Sequence, residues 1–269
     1  MKGEIVIIKG GGDIASGVIQ KLHRTGFRVL VLEVENPTSI RRTVCFSEAV
    51  YNEKMEIEGI TSILVRNTVE IYHAWANDYV PVLVDPNGDY IHKLHPIAVV
   101  DSIIAKRNNG THIGLAPITI GVGPGFEAGK DVSVVIESNR GHNLGRLIFK
   151  GYAEPNTGKP GNIAGYTSER VLHSPGDGKI SLSYDIGDIV KTGAIIGYVD
   201  GCSIVSEIDG LIRGLIRDGT YVTKGFKIGD VDPRIEQVKN SHTISDKARA
   251  IGGAVLEAIM IGMKKIKNL

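Results

Sequence analysis

The stretch Ile5-Val6-Ile7-Ile8-Lys9-Gly10-Gly11-Gly12-Asp13-Ile14-Ala15-Ser16-Gly17 decides how the first half of the chain is read. Four apolar residues in a row suit a strand buried on both faces. The glycines make a tight turn, and a helical stretch follows to about Thr25, where Gly26 ends it. Gly10, Gly12 and Ala15 satisfy the spacing G-x-G-x-x-G/A in the strand–turn–helix context of a dinucleotide site. Glycine lets the backbone approach a diphosphate, and the helix N-terminus attracts its charge. Glu33 closes the next strand about 20 residues on, where a carboxylate accepts from a ribose hydroxyl. Asp13 argues the other way, because a carboxylate in the first helical turn takes the place that the helix dipole offers an anion. Gly10, Gly11, Gly12, Asp13, Ala15 and Glu33 are thus either a cofactor-binding loop or an acid-capped turn.

Working outward, strands and helices alternate. Arg28 to Leu32, Ser62 to Val65 and Val80 to Val84 read as strands; helices are expected near Val69 to Asn77 and from about Pro96 to Arg107. Such alternation implies a parallel sheet. After about Gly110 helical periodicity gives way to glycine-punctuated β segments, until about Arg234. Ser245 to Lys267 then reads as one amphipathic helix with Ser245 as its N-cap. The expected class is α/β, with a Rossmann-like parallel-sheet N-terminal domain, a β-rich barrel-sandwich module and a C-terminal helix. The domains are placed at 1–165 (boundary between 110 and 165), 166–234 and 235–269.

A second glycine-rich segment, Ile118-Thr119-Ile120-Gly121-Val122-Gly123-Pro124-Gly125-Phe126, again leads from a strand into a loop. The strand Asp131 to Glu137 follows, and then Ser138-Asn139-Arg140-Gly141-His142. Arginine binds oxyanions bidentately, and glycines expose backbone amides, so Gly123, Gly125, Arg140 and His142 are candidates for an anionic ligand; the alternative is ordinary loops. No second histidine or cysteine stands at metal-ligand spacing, so no metal is expected. Asp101, Lys106, Arg107 and Asn108 read as a solvated helix end, and Arg41-Arg42 as a surface pair.

In the third quarter, Gly187 to Gly193 recurs loosely as Gly219 to Gly225 around Asp209-Gly210. The duplication resembles the barrel-sandwich of biotinyl and lipoyl carrier domains. Its tip, Val199-Asp200-Gly201-Cys202-Ser203, lacks the lysine that carriers modify. Cys202 is either an accessible thiol or a small packed residue.

Composition closes off several classes. Of 269 residues, 42% are hydrophobic and 23% charged, which argues against disorder. A net charge of +1 supplies no field for nucleic acid or anionic membrane. Two cysteines exclude a disulfide framework and suit a reducing cytosol. Met1-Lys2-Gly3-Glu4 runs straight into a strand without a signal-peptide core, and no stretch reaches the ~20 apolar residues of a spanning helix. A cytoplasmic protein is expected, and a homo-oligomer is compatible with it.

Taken together, the segments resemble the YqeB family of selenium-dependent molybdenum hydroxylase system proteins. The resemblance rests on Lys9 to Gly17, Val100-Asp101 with Ala105 to Asn108, Gly121 to Phe126 and Arg140-Gly141-His142. It extends through Asn156-Thr157-Gly158, Arg213-Gly214-Leu215, Lys227 to Arg234 and Ile244 to Ala248. The N-terminal part also resembles XdhC-type xanthine dehydrogenase accessory proteins at fold level. What the resemblance implies is an accessory or maturation factor for selenium-dependent molybdenum hydroxylases. Its partners would be the hydroxylase and the selenium-insertion machinery, and its ligand an NAD(P)-like nucleotide or molybdopterin dinucleotide. No catalytic residue is assigned. The alternative is an NAD(P)-dependent oxidoreductase, supported by the loop and Glu33.

Overall fold

The computed structural model describes residues 3–156, 158 and 161–268, and the chain divides into two compact units. The first comprises Met1–Pro37, Cys45–Asn156 and Ile244–Leu269. Its chain order is β1 (Ile5–Lys9), α1 (Asp13–Arg24), β2 (Arg28–Glu33), α2 (Ala49–Asn52), β3 (Lys54–Ile57), β4 (Ile60–Val65), α3 (Thr68–Ala76), β5 (Val80–Val84) and α4 (Asp89–Leu94). There follow β6 (Ala98–Asp101), β7 (Ile118–Val122), β8 (Glu127–Ala128), β9 (Val134–Ile136), β10 (Leu147–Ile148) and β11 (Gly151–Tyr152). The final helix of the chain, Asp246–Lys267, also belongs to this unit.

Nine strands form one sheet in the order β10-β9-β7-β6-β1-β2-β5-β4-β3. Its central strands are apolar on both sides because helices cover both faces. Val6 and Ile8 of β1 join one core with α1 and the final helix, whereas Ile7, between them, joins a second core with Ile71 of α3 and Ile91 of α4. The first core is closed by a very tight helix crossing. A Cβ on Gly17 of α1 would overlap the Ala248 carbonyl of the final helix, and a Cβ on Gly252 would overlap the Gly17 carbonyl. Only hydrogen at both positions lets the two backbones meet.

The second unit comprises Thr38–Val44 and Thr157–Thr243. Its strands are β12 (Val171–His173), β13 (Gly178–Leu182), β14 (Ile189–Val190), β15 (Ile195–Val199), β16 (Cys202–Val205), β17 (Gly210–Leu215), β18 (Tyr221–Val222) and β19 (Lys227–Asp232). They form two four-stranded sheets, β12-β19-β17-β14 and β16-β15-β13-β18, around a core that includes Ile180, Ile196, Ile212 and Val231.

The expected fold class is overturned. A Rossmann-like sheet is parallel with order 3-2-1-4-5-6. Here β5 lies between β2 and β4, and the ends of the sheet are the antiparallel pairs β3–β4 and β9–β10. The cause at one end is local: Glu58 and Gly59 have φ of 48° and 79°, the primed two-residue turn that reverses a hairpin. Nor is the second unit the expected self-contained biotinyl/lipoyl-like barrel-sandwich module. Leu215 N donates to the Ile40 carbonyl at 2.8 Å, and Arg42 Nε donates to the Leu215 carbonyl at 2.7 Å, so the unit includes a segment from far upstream. The C-terminal helix, finally, is no separate element. Ser245 caps it as expected, accepting from Ala248 N at 3.2 Å, but its buried face is part of the α/β core. We label it α5 (Asp246–Lys267).

The expected helix from about Pro96 to Arg107 is also absent. Ala98 to Asp101 is strand β6, and Ile104 and Lys106 beyond it have left-handed φ values of 59° and 63°. No helix among the described residues is long and apolar enough to cross a membrane.

Candidate functional site

In an open α/β sheet, ligands bind beyond the carboxyl ends of the strands where the winding direction reverses. Here β1 is flanked by β2 on one side and β6 on the other, all parallel, and the register aligns Lys9 with Asp101 and Asp101 with Gly121. The loops after β1, β6, β7 and β9 therefore open on one edge of the sheet. The N-terminus of α1 lies at the same edge. A concave cleft of about 580 Å³ lies at the opposite, N-terminal edge, lined by Glu4, His92 and His95, and none of the predicted site residues lines it.

The glycine loop is held from behind by the protein itself. Gly10 has φ +87°, and a Cβ there would sit 3.2 Å from the Ile103 backbone, so both conformation and space call for glycine. A Cβ on Gly11 would be 2.8 Å from Ser47 N, whose N–H donates to the Gly11 carbonyl at 3.0 Å. Glu33, predicted to face a ribose, accepts instead from the Gly11 and Val34 amides at 2.6 and 3.0 Å. Burial pushes its carboxyl up, opposed by those two amides and reinforced by Glu48. Gly12 differs from its neighbours. As the N-cap of α1 it has φ −72° and ψ −172°, a backbone any residue adopts, and as glycine it brings no side chain of its own to cap the helix. Asp13 stands in the first turn, and Ala15 is buried in the core.

Asp101, read from sequence as a solvated helix end, is a buried network member. Its Oδ2 accepts from Thr111 Oγ1 at 2.6 Å, Thr111 Oγ1 accepts from Lys9 Nζ at 2.7 Å, and Asp101 Oδ1 accepts from Ile103 N at 3.2 Å. Asn108 fixes Thr111 by donating to its carbonyl at 2.7 Å and accepting from its amide at 2.8 Å. This network pins the loop after β6 beneath the glycines. Gly123, at the end of β7, has its amide on the Ile136 carbonyl, and a Cβ on Gly125 would sit 2.7 Å from Arg107 N.

The loop after β9 brings in charge. Arg140 binds Asp246 of α5 through two bonds of 2.7 and 3.0 Å, which hold the Asp246 carboxyl well below its usual range. The buried carboxylate of Glu137 accepts from Asn139 and Glu154 amides at 2.6 and 2.8 Å and so shapes this loop. His142 is exposed on the same loop. Sequence reasoning gave no role to Lys247, next to Asp246. It is half-buried, and Arg140, Asp13, Glu137 and Asp246 all act on it electrostatically. The Ser245 cap, which places Lys247 in the first helical turn, was the available clue.

The edge thus gathers Gly10 to Asp13, Gly123, Gly125, Arg140, His142 and Lys247 from loops far apart in sequence. Backbone amides and cations of this kind can hold an anion. No group of three or more His, Cys, Asp and Glu residues suited to a metal occurs among the described residues. Elsewhere, Cys45 is buried and Cys202 exposed, and neither is in a disulfide. Arg213-Gly214-Leu215 lies in β17 and Lys227 to Asp232 forms its partner strand β19 in the second unit, with Arg234 just beyond it, and Thr157 lies outside the described residues.

Comparison with known proteins adds the following. No family model matches the chain. Among solved structures, it is similar to an aspartoacylase family protein from Mesorhizobium loti (11% identity, 86% of each chain, TM-score 0.25). It is also similar to a succinylglutamate desuccinylase/aspartoacylase from Rhodobacter sphaeroides (13% identity, 86% of this chain and 85% of that one, TM-score 0.27). The uncharacterized protein YqeB of Escherichia coli (strain K12) is 48% identical over 99% of this chain and 50% of its own length. The chain thus spans about half the length of that curated relative, to which it is similar over essentially its whole sequence.

Proposed function

We propose that this chain is an accessory factor in the maturation of selenium-dependent molybdenum hydroxylases. It acts by binding a phosphate-bearing ligand, a nucleotide or a molybdopterin-type cofactor, at the carboxyl edge of its large sheet. One observation carries the reading. Five of the segments on which the family resemblance rests, Lys9 to Gly17, Val100-Asp101 with Ala105 to Asn108, Gly121 to Phe126, Arg140 to His142 and Ile244 to Ala248, meet at that edge. Helix packing alone gives no reason for these five to coincide. An anion supported by the α1 N-terminus and by cations gives one.

The alternative, an NAD(P)-dependent oxidoreductase, has less support from the geometry, because both Glu33 oxygens already accept backbone amides. The test of the cellular role is selenium on the hydroxylase. Deleting the gene should leave hydroxylase protein and molybdenum in place while selenium per purified hydroxylase falls to background. Normal selenium loading in the deletion strain would remove the maturation role.

A further inference from the structure

Ser102 stands just past the end of β6, yet the parallel ladder still holds it: its amide donates to the Lys9 carbonyl at 3.0 Å. Residues of β6 alternate between the two cores. Ala98 and Val100 join the one under α1 and α5, and Val99 joins the other. Asp101 continues the second row, where its carboxylate meets the ammonium of Lys9, two residues after Ile7 of that same core. Ser102 therefore continues the first row and turns its hydroxyl toward the face on which α1 begins. Its neighbours in that row are Gly10 and Val122, which follow the paired residues Lys9 and Gly121. Neither offers a side-chain partner. Ser102 is only 3% exposed, and its Oγ has no hydrogen-bond partner among the described residues. A buried hydroxyl left unpaired costs stability unless something else uses it.

The chain that follows passes over this position. The Cα of Ile103 lies 3.2 Å from where a Cβ on Gly10 would sit, and Cδ1 of Ile104 lies 4.0 Å from where one on Gly123 would sit. The two isoleucines thus span from the β1 side of Ser102 to the β7 side, and Ile104 packs on the α1/α5 core. Ile104 has φ 59°, a left-handed value that a β-branched residue rarely takes. Such a backbone is strained and persists only where its surroundings hold it.

We propose that the Ser102 hydroxyl is a ligand-binding group of this site, which hydrogen-bonds a phosphate oxygen of the ligand at the α1 N-terminus, and that Ile104 covers it until the ligand enters. The inference rests on the reading of the edge as a phosphate site. A hydroxyl donates to an anionic oxygen in a short, strong bond without burying a charge of its own. The packing that Ile104 gives up on moving is offset by that bond and by release of its left-handed backbone.

Ser102→Ala separates this role from a structural one. Removing an unpartnered buried hydroxyl should raise the melting temperature of the free protein by a few degrees. Pyrophosphate, titrated by calorimetry, should nevertheless bind that variant about tenfold more weakly than the parent. Ile104→Gly accepts the left-handed backbone and removes the cover, so it should bind pyrophosphate severalfold more tightly. A melting temperature at or below the parent's in Ser102→Ala would show a hydroxyl that serves the fold through a buried water, and would overturn the proposal. If the parent binds pyrophosphate and Ser102→Ala binds it equally well, Ser102 takes no part and the phosphate reading stands. An Ile104→Gly variant that binds no more tightly than the parent would overturn the cover. If the parent binds no pyrophosphate at all, the site reading and this inference fall together.

Discussion

Helix α1 carries glycine at two places that look alike in sequence and do opposite work. At Gly17 the absence of a side chain lets α5 lie against α1, and nothing but protein occupies the contact. At Gly12, five residues earlier, the backbone is ordinary and the residue brings no side chain to the helix end that follows. One glycine is explained by packing; at the other the backbone angles do not require glycine, and a ligand would supply a reason for it. Glycine content therefore identifies neither cores nor sites until each position is asked what its Cβ would meet.

That contrast breaks most visibly at the crossing. Gly252→Ala should gain about 1 kcal/mol of helix propensity, as any interior glycine would. Its Cβ, however, overlaps the Gly17 backbone, and overpacking against backbone costs about 3 kcal/mol. The net loss of about 2 kcal/mol should lower the melting temperature of the α/β unit by roughly 4–8 °C. The neighbouring Gly253 has open space at its Cβ, so Gly253→Ala should instead stabilise by about 1 kcal/mol. Thermal scans of the pair check the sign as well as the size. Equal shifts would show that the crossing is loose.

Within the loop, Gly10→Ala should destabilise by about 1–2 kcal/mol, because an L side chain resists the left-handed backbone at φ +87°. Denaturant unfolding measures this, and no change would mean that the turn relaxes freely. The smallest effect concerns the Arg140–Asp246 pair. Both side chains are more than half exposed, at 56% and 66%, so solvent limits the contribution to less than about 1 kcal/mol. The folded carboxyl is depressed below its unfolded value of about 3.9. Its contribution is present above that value and lost as pH falls through the folded one. Asp246→Asn should therefore cost a little stability at pH 7 and none in strong acid, which a pH series of melting curves would follow.

Much of the α/β unit is legible in the sequence because strands buried on both faces read as apolar runs, as Ile5 to Ile8 and Val80 to Val84 do. Ala98-Val99-Val100 is too short for periodicity to separate strand from helix, and only the partners of Val99 and Val100 on two faces decide it. The hairpin at Glu58-Gly59 and the pairing of β17 with the Ile40 segment are long-range or turn-encoded facts, so strand order was misread. At the site, the glycine and arginine residues announce themselves by type. Asp101, Ser102 and Lys247 do not: their meaning comes from burial and from neighbours far along the chain, such as Thr111 and Arg140.

The most direct measurement is ligand binding to the parent and to Gly12→Val, by calorimetry against nucleotides and molybdopterin dinucleotide. The extended backbone of Gly12 accepts valine, so the variant should fold, at the cost of about 1 kcal/mol for a poorer N-cap, which a melting curve checks. Its branched side chain stands where the α1 amides would meet a phosphate, and affinity for the bound ligand should fall at least tenfold. Equal affinity in parent and variant, or no binding of any of these compounds by the parent, would contradict a phosphate site at this edge.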